Sequence, residues 1–267
     1  MDLANLAQTL APLTATPARS GVLLDVDGTL APIVANAHEA TVPQATRDAL
    51  AAVAERYGLV ACVTGRQAMI ARAMVGLESI TYFGNHGSEL LPAGGDEAVV
   101  APDAAEWTDR VKAFSRRAWE DFELEGAGVR PEDKGAIQGF HWRGAPDEAA
   151  AEAMVRRVAH AAQEEGLGIH WAKKILEVRP AVEFSKGSAV GHLLGEADLD
   201  AAMFCGDDVT DLHAFEELDE AVARGHLRHA FKIGVDSPEA PPGLAPASDI
   251  LLAGTEEMRA LLELLAA

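Results

Sequence analysis

The sequence is short of cysteine, of basic residues and of long apolar runs, and each shortage excludes a class of protein. Two cysteines, Cys62 and Cys205, each inside an apolar run, argue against a disulfide framework or a cysteine metal site. Lys and Arg number 22 against 42 Asp and Glu, so nucleic acid is a poor partner, because binding to a phosphate backbone depends on basic side chains. No apolar run reaches the roughly 18 residues that span a bilayer, so no membrane partner is expected.

The composition is otherwise that of a folded globular protein. Apolar residues make up 49% of the chain and charged residues 24%. Its 267 residues exceed the length of about 100–150 that is typical of one domain, so we expect one large domain or a core with a second module. The first residues, MDLANLAQTLAPLTATPAR, lack the early basic charge of a secretory signal and predict a short amphipathic helix in a cytoplasmic protein.

Short apolar runs alternate with helical patterns towards both ends of the chain. In the first part the pattern predicts strands at about 21–26, 59–63 and 79–83, and helices at about 43–57 and from 66. In the last part it predicts a helix from Lys186, the strands AAMFCG and AFKIGV, a helix between them at about 209–218, and a terminal helix. This alternation is typical of an α/β fold with a parallel sheet buried on both faces.

The alternation changes in the middle of the chain. There the pattern predicts helices at about 103–124 and 146–165, and strands near 128–141 and at 168–178. Two helices with several adjacent strands favour an α+β module with an antiparallel sheet. We therefore predict a core made of residues 1–101 and 184–267, with an inserted domain at 102–183.

Polar residues follow the predicted strands of the core. Because ligands bind outside the carboxyl ends of the strands in an open parallel sheet, we expect these residues to form one cluster. Its members are Asp25, Asp27, Thr64, Arg66, Lys186, Asp207, Asp208 and Asp211.

The residue types in this cluster suit phosphoryl transfer. Several carboxylates repel one another unless a cation lies among them, and a set of oxygen ligands favours a hard ion such as Mg²⁺. A carboxylate such as Asp25 can act as a nucleophile towards phosphorus, and Asp27 can act as general acid and base. Thr64 and Lys186 can supply a hydroxyl group and a positive charge to the phosphoryl oxygens.

Four motifs in this order resemble those of the haloacid dehalogenase superfamily of phosphotransferases. They are DVDGTL, VTGR, KG at a helix start, and GDDVTD. Within the superfamily, the chain is similar to the trehalose-6-phosphate phosphatase family. That similarity rests on DVDGTLAPI, YFGNHGSEL, EDKGAIQGFHWR, LEVRP and GDDVTDLHAF.

The resemblance implies a Rossmann-like core with a parallel sheet and an inserted α+β cap domain. It implies that Asp25 is the nucleophile and Asp27 the general acid and base, acting on a sugar phosphate. Mg²⁺ would be held by the Asp25 carboxylate, the Asp27 main-chain carbonyl and Asp207, with Asp208 and Asp211 in support. The implied phosphate-binding residues are Thr64, Arg66 and Lys186, and the implied sugar-binding residues of the cap are Lys134, His141, Arg143 and Glu177.

Trp142 and His86 lie outside the implied catalytic and binding residues but are also of interest. Trp142 replaces the tyrosine of the family's H-Y-R motif, and we expect it to keep a flat surface for a sugar ring. His86 lies between glycines after a strand, which is typical of a functional loop, but no role for it follows from the sequence.

Three functional hypotheses remain open on these residues. The first is hydrolysis of trehalose 6-phosphate through an aspartyl-phosphate. The second keeps this chemistry and changes the substrate to sucrose phosphate, mannosyl-3-phosphoglycerate or another sugar phosphate, or transfers the phosphoryl group to a second sugar. The third is a sensor that binds a sugar phosphate without turnover, which would not need the intact Asp25 and Asp27 pair. The oligomeric state does not follow from the sequence.

Overall fold

Contacts in the computed structural model divide the chain into two units. The first unit consists of Met1–Val99 and Phe184–Ala267, and the second of Val100–Glu183. The boundaries expected from the sequence, 101/102 and 183/184, lie within two residues of these divisions. The structure describes residues 3–34, 39–172, 174–181, 184–237 and 240–267.

The elements follow one another in three segments of the chain. The first segment contains α1 (Leu3–Thr9), α2 (Ala11–Thr14), β1 (Ser20–Leu24), α3 (Gln44–Ala54), β2 (Leu59–Val63), α4 (Ala68–Val75), β3 (Thr81–Gly84), β4 (Glu89–Leu91) and β5 (Val99–Val100). The second contains α5 (Pro102–Asp121), β6 (Arg130–Lys134), β7 (Ile137–His141), α6 (Glu148–Glu164), β8 (Gly168–Ala172) and β9 (Ile175–Arg179). The third contains α7 (Lys186–Glu196), β10 (Ala201–Gly206), α8 (Asp211–Ala223), β11 (His229–Val235), α9 (Leu244–Ala247), β12 (Ile250–Leu252) and α10 (Thr255–Ala266).

One eight-stranded sheet runs through the first unit. Its strand order is β12-β11-β10-β1-β2-β3-β4-β5, and the pairs from β12 to β3 are parallel. All five residues of β1 are buried, as expected for a central parallel strand that is covered on both faces. The predicted α/β class with a parallel sheet is therefore confirmed. β4 pairs with β3 in the antiparallel direction.

The second unit has its own sheet and its own core. Its four strands are antiparallel in the order β6-β7-β9-β8. Phe140, Leu176 and Val178 are buried on one face of this sheet, where they join Val111 of α5 and Val155 of α6 in one apolar cluster. Two helices on an antiparallel sheet form an α+β arrangement.

Element ends differ from the sequence expectations in ways that matter for the site. The strand expected over residues 21–26 ends at Leu24, so Asp25 and Asp27 lie in the loop that follows it. The helix expected from residue 209 begins at Asp211. The expected N-terminal helix consists of two short helices, α1 and α2. No described helix combines the length and apolar character that would let it span a membrane.

Gly58, an exposed residue just before β2, packs closely against the main chain of Ala18 and so provides a test of packing in the first unit. A β-carbon added at Gly58 would lie 2.2 Å from the main-chain oxygen of Ala18. We predict that Gly58→Ala lowers the free energy of unfolding by about 1–3 kcal/mol, because the main chain must move to relieve the overlap. Gly195→Ala in α7 is the control, since no atom of the described residues lies within 4 Å of its added carbon and alanine favours the helix. Urea denaturation measures both, and an equal effect of the two changes would contradict the packing argument.

Candidate active site

The residues expected at the strand ends line one cavity in the first unit. Its volume is about 740 Å³. All six core residues predicted to act in catalysis, phosphate binding or metal binding line it: Asp25, Asp27, Thr64, Arg66, Lys186 and Asp207. Asp208 and His86 line the same cavity.

The parallel sheet explains why residues so far apart in the sequence meet here. β1 lies between β2 and β10, so the carboxyl ends of all three strands are neighbours. The main-chain N–H of Asp25 donates to the carbonyl of Cys205 at 2.8 Å, and that of Thr64 donates to Phe83 at 2.9 Å. The polar residues therefore follow directly from strands that are already fixed in register.

A buried lysine joins two aspartates at the centre of the cavity. Lys186 Nζ lies 2.8 Å from Asp25 Oδ1 and 2.7 Å from Asp211 Oδ1. Burial raises the pKa of Asp25 well above its ordinary value, although Lys186 opposes the shift. Burial alone would lower the pKa of Lys186, but the two carboxylates outweigh it and the net pKa is raised. Lys186 therefore stays protonated and compensates the buried carboxylates.

Asp211 also organises the loop that carries Asp207. Its second oxygen, Oδ2, accepts hydrogen bonds from the main-chain N–H groups of Asp207 and Asp208, both at 2.9 Å. A β-carbon on Gly206 would lie 2.2 Å from Asp211 Cγ, so only glycine fits beside this carboxylate. Asp211 thus links Lys186 to the loop after β10.

Three carboxylates form a group that could hold a cation. Oxygen atoms of Asp25, Asp207 and Asp211 lie within 4.8 Å of one another. Asp207 Oδ1 is buried and has no hydrogen-bond partner among the described residues. Burial raises the pKa of Asp207 to about 7, and the charge of Asp211 adds to this effect. An oxygen ligand without a partner, beside a second buried carboxylate, fits a hard divalent ion such as Mg²⁺.

Arg66 contacts Asp27 in this structure. Its Nε and Nη2 atoms donate to the two carboxylate oxygens of Asp27 at 2.6 and 2.7 Å. The main chain of Arg66 is fixed as well, because its N–H donates to Thr64 Oγ1 and its carbonyl accepts from Asn85. Two parallel hydrogen bonds give the Asp27 carboxylate a defined orientation at the wall of the cavity.

The expected sugar-binding residues lie in the second unit and are only partly brought together. His141 on β7 and Glu177 on β9 alternate with the buried Phe140 and Val178, so they belong to the opposite face of the sheet. His141 Nε2 lies 2.7 Å from Glu132 Oε2. Glu132 was not among the predicted site residues, although it is the first residue of the motif EDKGAIQGFHWR.

Lys134 lies two residues after Glu132 on β6, on the same face of the sheet by strand alternation, whereas Arg143 lies outside the strands. Lys134 ends β6 opposite Ile137, and its side chain is outside the described part of the structure. Arg143 is exposed in the turn between β7 and α6, where its carbonyl accepts a hydrogen bond from Arg130.

The expectation for Trp142 was wrong. The side chain of Trp142 is 5% exposed and packs edge to face on Trp171, with the ring centroids 6.0 Å apart. Because side chains alternate along an extended chain, the residue after His141 points into the apolar core of the second unit. Trp142 therefore offers no surface to a sugar ring.

The comparison with protein families decides the membership of the chain. The trehalose-phosphatase family model matches residues 23–241.

The chain belongs to the trehalose-phosphatase family.

A relative within this family is probable trehalose-phosphate phosphatase 9 of Oryza sativa subsp. japonica. It is 31% identical over 231 residues, which cover 77% of this chain and 60% of the rice protein. The chain spans between 15% and 60% of the length of the curated relatives it matches.

Solved structures share the fold. The trehalose-6-phosphate phosphatase of Aspergillus fumigatus is 20% identical with a TM-score of 0.69, covering 100% of this chain and 97% of that one. A haloacid dehalogenase-like hydrolase of Bacteroides thetaiotaomicron is 13% identical with a TM-score of 0.56, covering 91% and 98%. The resemblance to the trehalose-phosphatase family is confirmed, and the fold is shared with a haloacid dehalogenase-like hydrolase.

Gly28 offers a direct test of the cation site. Its φ is +77°, and an added β-carbon would lie 1.9 Å from Asp207 Oδ2. We predict that Mg²⁺ raises the unfolding temperature of the unchanged protein, and that Gly28→Ala displaces Asp207 and abolishes this rise. Gly94→Ala is the matched control, because Gly94 has a φ of +71° and no atom of the described residues lies within 4 Å of an added β-carbon. Both changes place alanine in a left-handed conformation, at a cost of about 1–2 kcal/mol. Loss of the Mg²⁺ effect in both variants would show that the contact with Asp207 is not the cause.

Proposed function

We propose that this protein is a Mg²⁺-dependent phosphatase that hydrolyses trehalose 6-phosphate to trehalose and phosphate through an aspartyl-phosphate on Asp25. The observation that carries the proposal is the buried contact of Asp25 with Lys186 beside Asp207, at the cavity formed by the family's four motifs. Family membership supports the choice of substrate.

We propose that Asp25, Asp207 and the main-chain carbonyl of Asp27 hold the Mg²⁺ ion. Asp207 Oδ1 has no hydrogen-bond partner among the described residues, and the pKa of Asp207 is raised; both observations fit a cation at this position. Both oxygens of Asp211 already accept hydrogen bonds, so its role is to support the site. When bound, Mg²⁺ supplies positive charge that keeps the carboxylates ionised and draws negative charge from the phosphoryl group.

The reaction has two steps on the residues of this chain. In the first, a carboxylate oxygen of Asp25 attacks phosphorus and the bond from phosphorus to the sugar oxygen breaks, while Asp27 gives a proton to the leaving oxygen. In the second, Asp27 takes a proton from water, whose oxygen attacks the same phosphorus. The bond between phosphorus and Asp25 breaks, which releases phosphate and restores both carboxyl groups.

The surrounding residues orient these two aspartates. Lys186 donates to Asp25 and would place its positive charge beside the phosphoryl oxygens as negative charge develops. Thr64 is buried at the end of β2 and would donate its hydroxyl to the same group. Arg66 was expected to bind phosphate. In this structure it donates to both oxygens of Asp27, which favours the ionised carboxylate, so this pair must separate when Asp27 carries the proton for the leaving oxygen.

We propose that the second unit acts as the cap and binds the sugar. His141, Glu177 and Glu132, on the face of its sheet opposite the apolar cluster, offer hydrogen-bonding groups for sugar hydroxyls. Lys134 and Arg143 stay in this proposal on the strength of the family resemblance.

The reaction would take place in the cytoplasm, which fits two buried cysteines that form no disulfide.

Phosphate release tests the substrate and the mechanism together. The purified protein should release phosphate from trehalose 6-phosphate with Mg²⁺ and not with EDTA, and faster than from sucrose 6-phosphate or mannosyl-3-phosphoglycerate. Asp25→Asn should abolish release, because an amide cannot form the acyl phosphate. Asp48→Asn, on an exposed face of α3, should leave it unchanged. Turnover that survives both Asp25→Asn and EDTA would refute the mechanism, and binding without turnover would favour a sensor.

The buried ion pairs of Lys186 predict that its replacement lowers the stability of the protein as well as its activity. Lys186→Ala leaves Asp25 and Asp211 without their cation, so we expect the free energy of unfolding to fall by about 3–5 kcal/mol at pH 8. Lys232→Ala breaks a pair with the exposed Asp219 and should cost about 1 kcal/mol or less.

The effect of Lys186→Ala should depend on pH. In the variant the charge of Lys186 no longer opposes the effect of burial, so the pKa values of Asp25 and Asp211 rise further than in the unchanged protein. As the pH falls, the folded variant therefore takes up protons that the unfolded chain does not bind. The loss of stability should therefore be smaller at pH 5.5 than at pH 8, as measured by urea denaturation. A loss that is the same at both pH values, or no larger than that of Lys232→Ala, would contradict the ion-pair argument.

A further inference from the structure

His86 lines the cavity, and the proposed mechanism gives it no task. It lies in the loop Asn85–Gly87 after β3, on the wall that also carries Thr64, Gly65 and Lys186. Its side chain is exposed to the cavity.

The backbone of this loop is strained. Asn85 has a φ of +47° and His86 a φ of +56°, and Gly87 follows with +109°. Left-handed conformations are unfavourable for residues with a β-carbon, and two in succession persist only where the surroundings enforce them. Among the described residues of the first unit, Asn85 and His86 are the only non-glycine residues of this kind.

Hydrogen bonds to the phosphate-binding segment enforce this conformation. The N–H of Asn85 donates to the main-chain carbonyl of Arg66 at 2.8 Å, and the N–H of His86 donates to the main-chain carbonyl of Thr64 at 3.0 Å. Asn85 Nδ2 donates to Glu89 Oε1, and the other oxygen of Glu89 accepts from the N–H of Ala68 at the start of α4. The loop is therefore tied to the segment between β2 and α4.

Close packing fixes the position of the imidazole ring. A β-carbon on Gly65 would lie 2.7 Å from Cε1 and 2.8 Å from Nε2 of His86, so the ring rests directly on the main chain of Gly65. A β-carbon on Gly87 would lie 2.8 Å from the carbonyl oxygen of Ser185, the residue that caps α7. The strained loop thus holds the ring against the segment that provides Thr64, and its glycine packs against the start of the helix that provides Lys186.

We propose that His86 binds a hydroxyl group of the sugar next to the phosphate ester and so favours sugar phosphates over other phosphate monoesters. This inference rests on the proposed function, since it assigns a specificity-determining residue to the same site.

The chemistry of the cavity supports a hydroxyl group as the partner of His86. Partial removal from water and the charge of Lys186 lower the pKa of His86, so the ring is neutral near pH 7. A neutral imidazole has one donor and one acceptor, which matches a hydroxyl group. In the proposed function, the ammonium group of Lys186 and the hydroxyl group of Thr64 already donate to the phosphoryl oxygens.

The test compares trehalose 6-phosphate with p-nitrophenyl phosphate, which has no hydroxyl group beside the ester. His86→Asn keeps a residue type that tolerates the left-handed backbone, and His86→Gly removes the side chain while it relieves the strain. In both variants we expect kcat/KM for trehalose 6-phosphate to fall about tenfold or more through a raised KM. We expect kcat/KM for p-nitrophenyl phosphate to stay within about twofold.

Glu123→Gly is the control for the backbone. Glu123 is an exposed residue of the second unit with a φ of +48°, and its replacement should leave the kinetics of both substrates unchanged. His86→Gly should unfold at a temperature equal to or above that of the unchanged protein.

The remaining outcomes would overturn the inference. Equal losses on the two substrates would assign His86 to the phosphoryl group or to the fold, and a fall in kcat without a rise in KM would assign it to the chemical step. Unchanged kinetics in the His86 variants would show that this residue does not contact the substrate.

Failure of the unchanged protein to hydrolyse trehalose 6-phosphate is a different result, because it would refute the proposed function. The two His86 variants would then be compared on the sugar phosphate that the protein does hydrolyse.

Discussion

The site depends on one buried cation between two buried carboxylates. Lys186 Nζ contacts Asp25 and Asp211, and all three side chains are 5% exposed or less. Ionised carboxylates are costly in an apolar environment unless a positive charge accompanies them. Through Asp211, the same lysine is connected to the main chain that positions Asp207. One ammonium group therefore links the end of β1, the start of α7 and the loop after β10.

Much of this arrangement follows from the sequence. Three apolar runs, each followed by a polar residue and then by a helical pattern, predict parallel strands whose carboxyl ends meet at one edge. Asp25, Thr64 and Asp207 were predicted at these strand ends and Lys186 at a helix start, and all four line one cavity. Their position could be predicted because β-strand direction and helix position depend on patterns that are local in the sequence. The change of pattern in the middle of the chain likewise indicated a separate α+β unit.

Contacts between side chains were harder to predict. The pairing of Arg66 with Asp27 and the two roles of Asp211 depend on side-chain directions that no spacing specifies. Trp142 was placed on the wrong face because a motif shows the residue type without the register of the strand. Glu132 was overlooked, although strand alternation from His141 across β6 and β7 would have placed it on the same face.

The central claim is that Asp25 accepts the phosphoryl group. Its most direct test is to quench the protein during turnover of trehalose 6-phosphate, reduce it with borohydride, and identify the modified peptide by mass spectrometry. Reduction of an acyl phosphate converts aspartate to homoserine, so we predict homoserine at position 25 in the presence of Mg²⁺ and substrate. Turnover that leaves Asp25 unmodified, or that modifies another carboxylate, would contradict the claim.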